Sequence, residues 1–135
     1  MLEPFSVENK DGEMFSINCE RHSGVCWRLI FCTQRMEYVG DLLFEPDDAE
    51  SVRLLDFHIF HEFARKGMGT KIINKLQELL RKHGYHSIVG ICKSYDRPLS
   101  EKENLAQWYA NLGFTLIREN MATEPGYLGK FSKNL

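Results

Sequence analysis

Between Val52 and Cys92 the hydrophobic period of the chain changes twice, and no other sequence feature constrains the fold as much. Val52 to Phe60 is rich in β-branched and aromatic residues and reads as a strand. From Thr70 to His83 the apolar residues Ile72, Ile73, Leu76, Leu79 and Leu80 fall on one stripe. Lys71, Lys75, Glu78 and Lys82 face away from it, so the segment reads as an amphipathic helix. Gly84 ends that helix, because a residue without a Cβ takes the left-handed conformation easily, and Ser87 to Cys92 then reads as a short buried strand. Strand, helix and strand in this order usually give a parallel pair, with ligands near the carboxyl ends of the strands.

Ahead of this unit, Phe15 to Cys19, Val25 to Cys32 and Tyr38 to Phe44 read as strands of an antiparallel meander. Asp11-Gly12, Ser23-Gly24 and Thr33 to Glu37 form its turns. The acidic stretch Glu45 to Glu50, interrupted by Pro46, reads as a charged loop. After Pro98, Ser100 and Glu103 form a capping box at the head of a second helix. Its apolar positions Leu105, Trp108, Tyr109 and Leu112 are spaced by three and four, and Gly113 closes it. Phe114 to Arg118 and Tyr127 to Phe131 are the final strands, with Glu124-Pro125-Gly126 in the loop between them. The expected class is mixed α/β, and 135 residues without repeat or linker fit a single domain spanning 1–135.

With 17 basic and 19 acidic side chains the chain has no overall field to attract nucleic acid or an anionic membrane, so any cationic site is local. No apolar run approaches the roughly 20 residues needed to cross a bilayer, and Met1 to Lys10 lacks the order of a secretory signal; a cytoplasmic location is expected. The four cysteines are therefore read as thiols. Cys19, His22, Cys26 and Cys32 are zinc-ligand types, but they lack the close pairs of a structural site and three fall in strand-like segments, so no metal is expected.

Two constellations carry chemistry. In Arg65-Lys66-Gly67-Met68-Gly69-Thr70, between a strand end and a helix start, glycines allow backbone to approach an anion. Unpaired amides and two full charges favour that anion, as a diphosphate would require. Neither common nucleotide fingerprint is present: the lysine and hydroxyl order of a P-loop is absent, and Ile72 occupies the third glycine position of a dinucleotide fold. The second constellation is Asn104-Leu105-Ala106-Gln107-Trp108-Tyr109-Ala110-Asn111-Leu112-Gly113-Phe114.

In this order and separation the two segments resemble the cofactor-binding core of the GNAT family of acetyl-CoA-dependent N-acetyltransferases. The first is similar to that family's [QR]-x-x-G-x-[GA] segment. The second is similar to its N-x-x-A-x-x-[YF]-Y-x-x-x-G-F helix, with alanine one place early at Ala106. The resemblance covers about Val52 to Phe114. It implies a central, mostly antiparallel sheet with a parallel strand pair that splays at the cofactor cleft, flanked by helices. It further implies that the pyrophosphate of coenzyme A sits on the amides from Lys66 to Thr70, with Gly67, Met68 and Gly69 between them. The pantetheine arm would pair with the strand edge near Phe57 to Ile59 and touch Asn104, and Tyr109 would stand near the sulfur. Ala64 falls where the family segment begins with Gln or Arg, so one expected phosphate contact is missing and Arg65 or Lys66 must substitute. GNAT domains usually carry one or two helices between their first two strands, whereas Phe5 to Cys32 reads as strands and turns. A more open groove for a protein or peptide amine would follow.

The implied reaction is direct attack of a primary amine, on a small molecule or a polypeptide, on acetyl-CoA in a ternary complex. A lysine-like amine with a pKa of about 10.4 is protonated at neutral pH, so deprotonation costs about 4 to 5 kcal/mol and a base or water chain must assist. A strand amide such as that of Ile59 could stabilise the thioester oxygen, and the Tyr109 phenol could protonate the departing thiolate. Asp56, His58, His61 and Glu62 are candidate bases, with His58 and Glu62 foremost. Alternation puts Asp56 and His58 on one face with Leu54 and Phe60, opposite Leu55, Phe57 and Ile59. The alternative to an enzyme is a regulatory module that binds acyl-CoA without turnover. The exposed edges of the meander would permit two copies to pair as a homodimer by sheet extension.

Overall fold

The computed structural model describes residues 2–93, 99–119 and 127–135, with side chains described for all but 93 and 99–104 of these. Strands β1 (Phe5–Glu8), β2 (Met14–Ser23), β3 (Cys26–Thr33), β4 (Tyr38–Pro46) and β5 (Ser51–Ile59) precede helix α1 (Met68–Lys82). Strand β6 (Ser87–Lys93), helix α2 (Leu99–Asn111), and strands β7 (Thr115–Arg118) and β8 (Tyr127–Asn134) follow. One sheet joins all eight strands in the order β1-β2-β3-β4-β5-β6-β8-β7. Every neighbouring pair is antiparallel except β5 and β6. The class is mixed α/β with a mostly antiparallel sheet, as the sequence implies.

Most element boundaries differ from the sequence expectation, β2 and β8 running on to Ser23 and Asn134, and three differences have a clear cause or consequence. β1 is an additional strand, four residues long and too short to show a period. β4 runs through Glu45 and Pro46, which pair with Arg53 and Val52; a proline is tolerated there because it ends the strand. α1 starts at Met68 instead of Thr70, because the Gly67 turn and not the first apolar repeat sets its beginning. Ser100 and Glu103 lie in α2, but their side chains are outside the described residues.

The α1 stripe of Ile72, Ile73, Leu76, Leu79 and Leu80 is buried and joins Ile17, Leu29, Phe31, Leu42, Phe44, Val52 and Leu54 in one core. Register explains this, since residues directly opposite share a face. Ile17 opposes Phe31, Leu29 opposes Leu42, and Leu42 opposes Phe57. Each such side chain contributes about 1.5 to 3 kcal/mol when fully buried. The reverse face carries Glu20 opposite Arg28, Arg28 opposite Leu43, and Asp41 opposite His58. Among the described residues no helix lies between β1 and β5, and Glu20, Tyr38, Asp56, His58 and Phe60 remain exposed.

The cleft opens where regular pairing stops. β5 and β6 pair only from Ser51 opposite Ser87 to Leu54 opposite Gly90, although both strands continue. At that point β5 also carries a bulge: Phe44 opposes Leu54 and Leu43 opposes Asp56, so Leu55 is an extra residue. The bulge corrects the expected alternation. Leu54, Phe57 and Ile59 share the inner face, while Leu55, Asp56, His58 and Phe60 turn outward, because one inserted residue shifts the phase of all that follow.

Candidate active site

After β5 the chain closes a short 3-10 turn at His61–Phe63, and its backbone then becomes left-handed at Arg65 (φ 61°) and again at Gly67 (φ 84°). Gly67 is the N-cap of α1, and its carbonyl accepts the first helical bond, from the Lys71 amide at 3.3 Å. The amides of Met68, Gly69 and Thr70 precede any intrahelical acceptor. Among the described residues no side chain caps them, and the first turn contains no acidic residue. The helix start is thus an uncompensated positive end, the arrangement that binds phosphate groups. Glycine is needed at 67 for its φ. Gly69 brings the helix onto its neighbours: a Cβ there would stand 3.4 Å from both Ile59 Cδ1 and Trp108 Cζ2.

This turn forms one wall of a cavity of about 420 Å³. Phe57 and Ile59 from β5 and Leu105, Trp108 and Tyr109 from α2 form the other walls, with Ala64, Arg65, Gly67, Gly69 and Thr70 at the turn. Backbone polarity is available here too. Phe60 donates its amide hydrogen to Val39 at 2.8 Å, so the alternation of an antiparallel ladder turns the amides of Phe57 and Ile59 toward the edge that β6 has left. The Phe57 amide is met by the Asp56 carboxylate at 3.0 Å.

Seven of the residues singled out from sequence therefore line one cavity: Phe57, Ile59, Arg65, Gly67, Gly69, Thr70 and Tyr109. Met68 belongs to the same turn through its amide, while its side chain is buried in the core. The Lys66 ammonium is held by Asp11 at 3.1 Å. Asn104 lies in α2 one turn before Trp108, and its side chain is outside the described residues. His58 and Glu62 do not line the cavity. His58 is on the outward face against the Phe60 ring, and Glu62 is exposed in the 3-10 turn.

Tyr109 is held by aromatic packing. Its ring stacks on Phe131 at 4.3 Å and meets Trp108 and Phe114 edge-on at 4.9 and 5.7 Å. Phe131 in turn lies across Gly90, where any Cβ would collide with its ring. Burial pushes the Tyr109 phenol well above its ordinary range, with the nearby Cys92 and Asp56 adding to the effect, so the hydroxyl keeps its proton. Trp108 donates its indole N–H to the Thr70 hydroxyl at 3.0 Å and so ties α2 to the first turn of α1. Sequence reasoning missed the roles of Gly90, Phe131 and the Trp108 N–H. A glycine inside a short buried strand was the available signal, since it marks a place where something approaches closely.

No family sequence model matches the chain, and no curated protein is significantly similar in sequence. Solved structures are similar in fold. The GNAT domain of S. lividans PAT superposes with a TM-score of 0.71 at 9% identity, over 98% of this chain and 97% of that one. A GNAT family acetyltransferase from Elizabethkingia anophelis with acetyl-CoA bound gives 0.65 at 13% identity, over 90% and 98%. The PaiA N-acetyltransferase of Thermoplasma acidophilum in complex with coenzyme A gives 0.61 at 14%, over 82% of this chain and 61% of that one. With its parallel pair splayed beside an uncapped helix start, this chain has the GNAT fold.

Proposed function

We propose that the protein is an N-acetyltransferase that binds acetyl-CoA in this cleft and transfers its acetyl group to a primary amine in a ternary complex. The observation that carries the reading is the α1 start, which among the described residues has neither a side-chain cap nor a first-turn acid and opens into a cavity beside the strand edge that β6 leaves. Similar structures from E. anophelis and T. acidophilum hold acetyl-CoA and coenzyme A. Their low identity makes them support for the fold and its cleft, not for an acceptor.

Acetyl-CoA, when bound, supplies an activated acetyl thioester. The amides of Met68 to Thr70, with Arg65, would hold its pyrophosphate, while Phe57, Ile59 and Asn104 would hold the pantetheine arm. The Ile59 amide would donate a hydrogen bond to the acyl oxygen, and the Tyr109 phenol, protonated at neutral pH, would give its proton to the departing thiolate as the C–S bond breaks. Deprotonation of the amine falls to the outward face. Asp56 and His58 share that face and Glu62 follows it; of the three, Asp56 is the one whose charge reaches the Tyr109 phenol. The absence of a helix over β2 to β5 among the described residues favours an amine carried on a polypeptide, because a small amine would find few walls there.

Thiol release from acetyl-CoA, measured with lysine-containing peptides, polyamines and small primary amines, tests the reading. Amine-dependent release, greatest with peptides, is expected. Binding of acetyl-CoA without amine-dependent release would instead identify a non-catalytic binding module, and acetylation of small amines alone would overturn the polypeptide acceptor.

A further inference from the structure

We infer that Lys10, in the turn between β1 and β2, is a binding residue for the pyrophosphate of the carrier, an inference that rests on the proposed function. The turn is built to present it. Asn9 is buried, and its side-chain oxygen accepts the amides of Asp11 and Glu13, both at 3.0 Å, while its own amide donates to the Glu13 carbonyl at 2.9 Å. From this fixed turn the Lys10 amide donates to the Lys66 carbonyl at 2.8 Å, which clamps the hairpin onto the anion-binding loop. The Lys10 stem then runs across Gly67: its Cγ and Cε lie 3.3 Å from the point where a Cβ of Gly67 would stand.

The charges follow from this packing. The Lys10 ammonium is one bond beyond that Cε, beside the N-cap, and among the described residues no carboxylate pairs with it. Lys66 sits in the loop itself, yet its ammonium is drawn to Asp11 of the same hairpin. The hairpin thus compensates the local lysine and delivers a distant one. Ala64 leaves the loop without the phosphate contact that the Gln or Arg of the resembled segment makes at its head, and Lys10 supplies a cation from the turn at the β1 edge of the sheet.

Calorimetric titration with coenzyme A and with dephospho-coenzyme A, which lacks only the ribose 3′-phosphate, tests this. Lys10→Met keeps the stem over Gly67 and removes the charge. It should weaken both ligands by about tenfold, with the loss shrinking as salt is raised. Lys10→Arg should retain most of the affinity, and Lys66→Met should cost less than Lys10→Met. Unaltered affinity in folded Lys10→Met, a loss confined to coenzyme A, or a larger loss in Lys66→Met would each overturn the assignment. A wild-type protein that binds neither ligand would instead overturn the proposed function, and Lys10 with it. Melting curves of the unliganded variants establish that each one folds.

Discussion

The β1–β4 meander and the β5–α1–β6–α2 unit are made from the same kinds of residue but treat backbone pairing in opposite ways. In the meander the ladders shift register only between Arg21 and Ser23 and between Phe31 and Cys32, the inner face is largely buried, and the outer face is tied by Arg28. Its guanidinium meets Asp41 at 2.8 Å, Tyr38 at 3.1 Å and Glu20 at 3.8 Å. The second unit holds the bulge at Leu55, the left-handed Arg65 and Gly67, and a parallel ladder only four pairs long. A fully paired backbone has nothing left for a ligand. The contrast teaches that the platform comes from satisfied amides and the site from those deliberately left over.

Substitutions in the two regions should separate stability from function. The largest effect belongs to the platform: Leu29→Ala removes a fully buried side chain and should lower unfolding free energy by about 2 to 5 kcal/mol in denaturant titrations. Coenzyme A affinity of the folded protein should not change, and a parallel loss of affinity would break the comparison. Next, Tyr109→Phe should reduce turnover by about a hundredfold while sparing affinity, the lower end of what a general acid contributes. Equal turnover would remove the phenol from the reaction.

The same phenol gives a pH signature. Its folded pKa is raised above the ordinary value of about 10, so the stability it confers is complete below that pH. As pH climbs from there toward the folded pKa, stability should be lost at about 1.4 kcal/mol per pH unit, because the native state retains a proton that the unfolded state has released. Tyr109→Phe should lack this component, which alkaline unfolding curves of the two proteins would reveal by difference. The smallest effect is expected from Trp108→Phe. Loss of its bond to Thr70 should cost about 1 kcal/mol of stability and loosen the helix start slightly, readable as a modest drop in melting temperature and in affinity.

Much of this was legible in the chain, and the reasons are physical. The α1 stripe and the glycine turn are local patterns, read from neighbours in sequence, and both stand close to where the sequence puts them. The second helix could be aligned with a known motif and its Tyr109 does line the cavity. What was not legible depends on partners far along the chain. Nothing near Leu55 announces a bulge, since it arises from the register with Leu43 and Phe44, and it moves Leu54 onto the face of Phe57 and Leu55 onto that of Asp56. Lys10 is one charged turn residue among many until Gly67 is found beneath it. Gly90 likewise acquires meaning only once Phe131 is seen across it.

The central claim is that the amides at the start of α1 hold the carrier. Calorimetric titration of wild type and Gly67→Glu with coenzyme A tests it most directly, since any side chain at φ 84° is strained and a carboxylate there would meet the phosphates. The account predicts one binding event per chain in the wild type and an affinity at least about a hundredfold weaker in the folded variant. Equal affinity in the two proteins would contradict it.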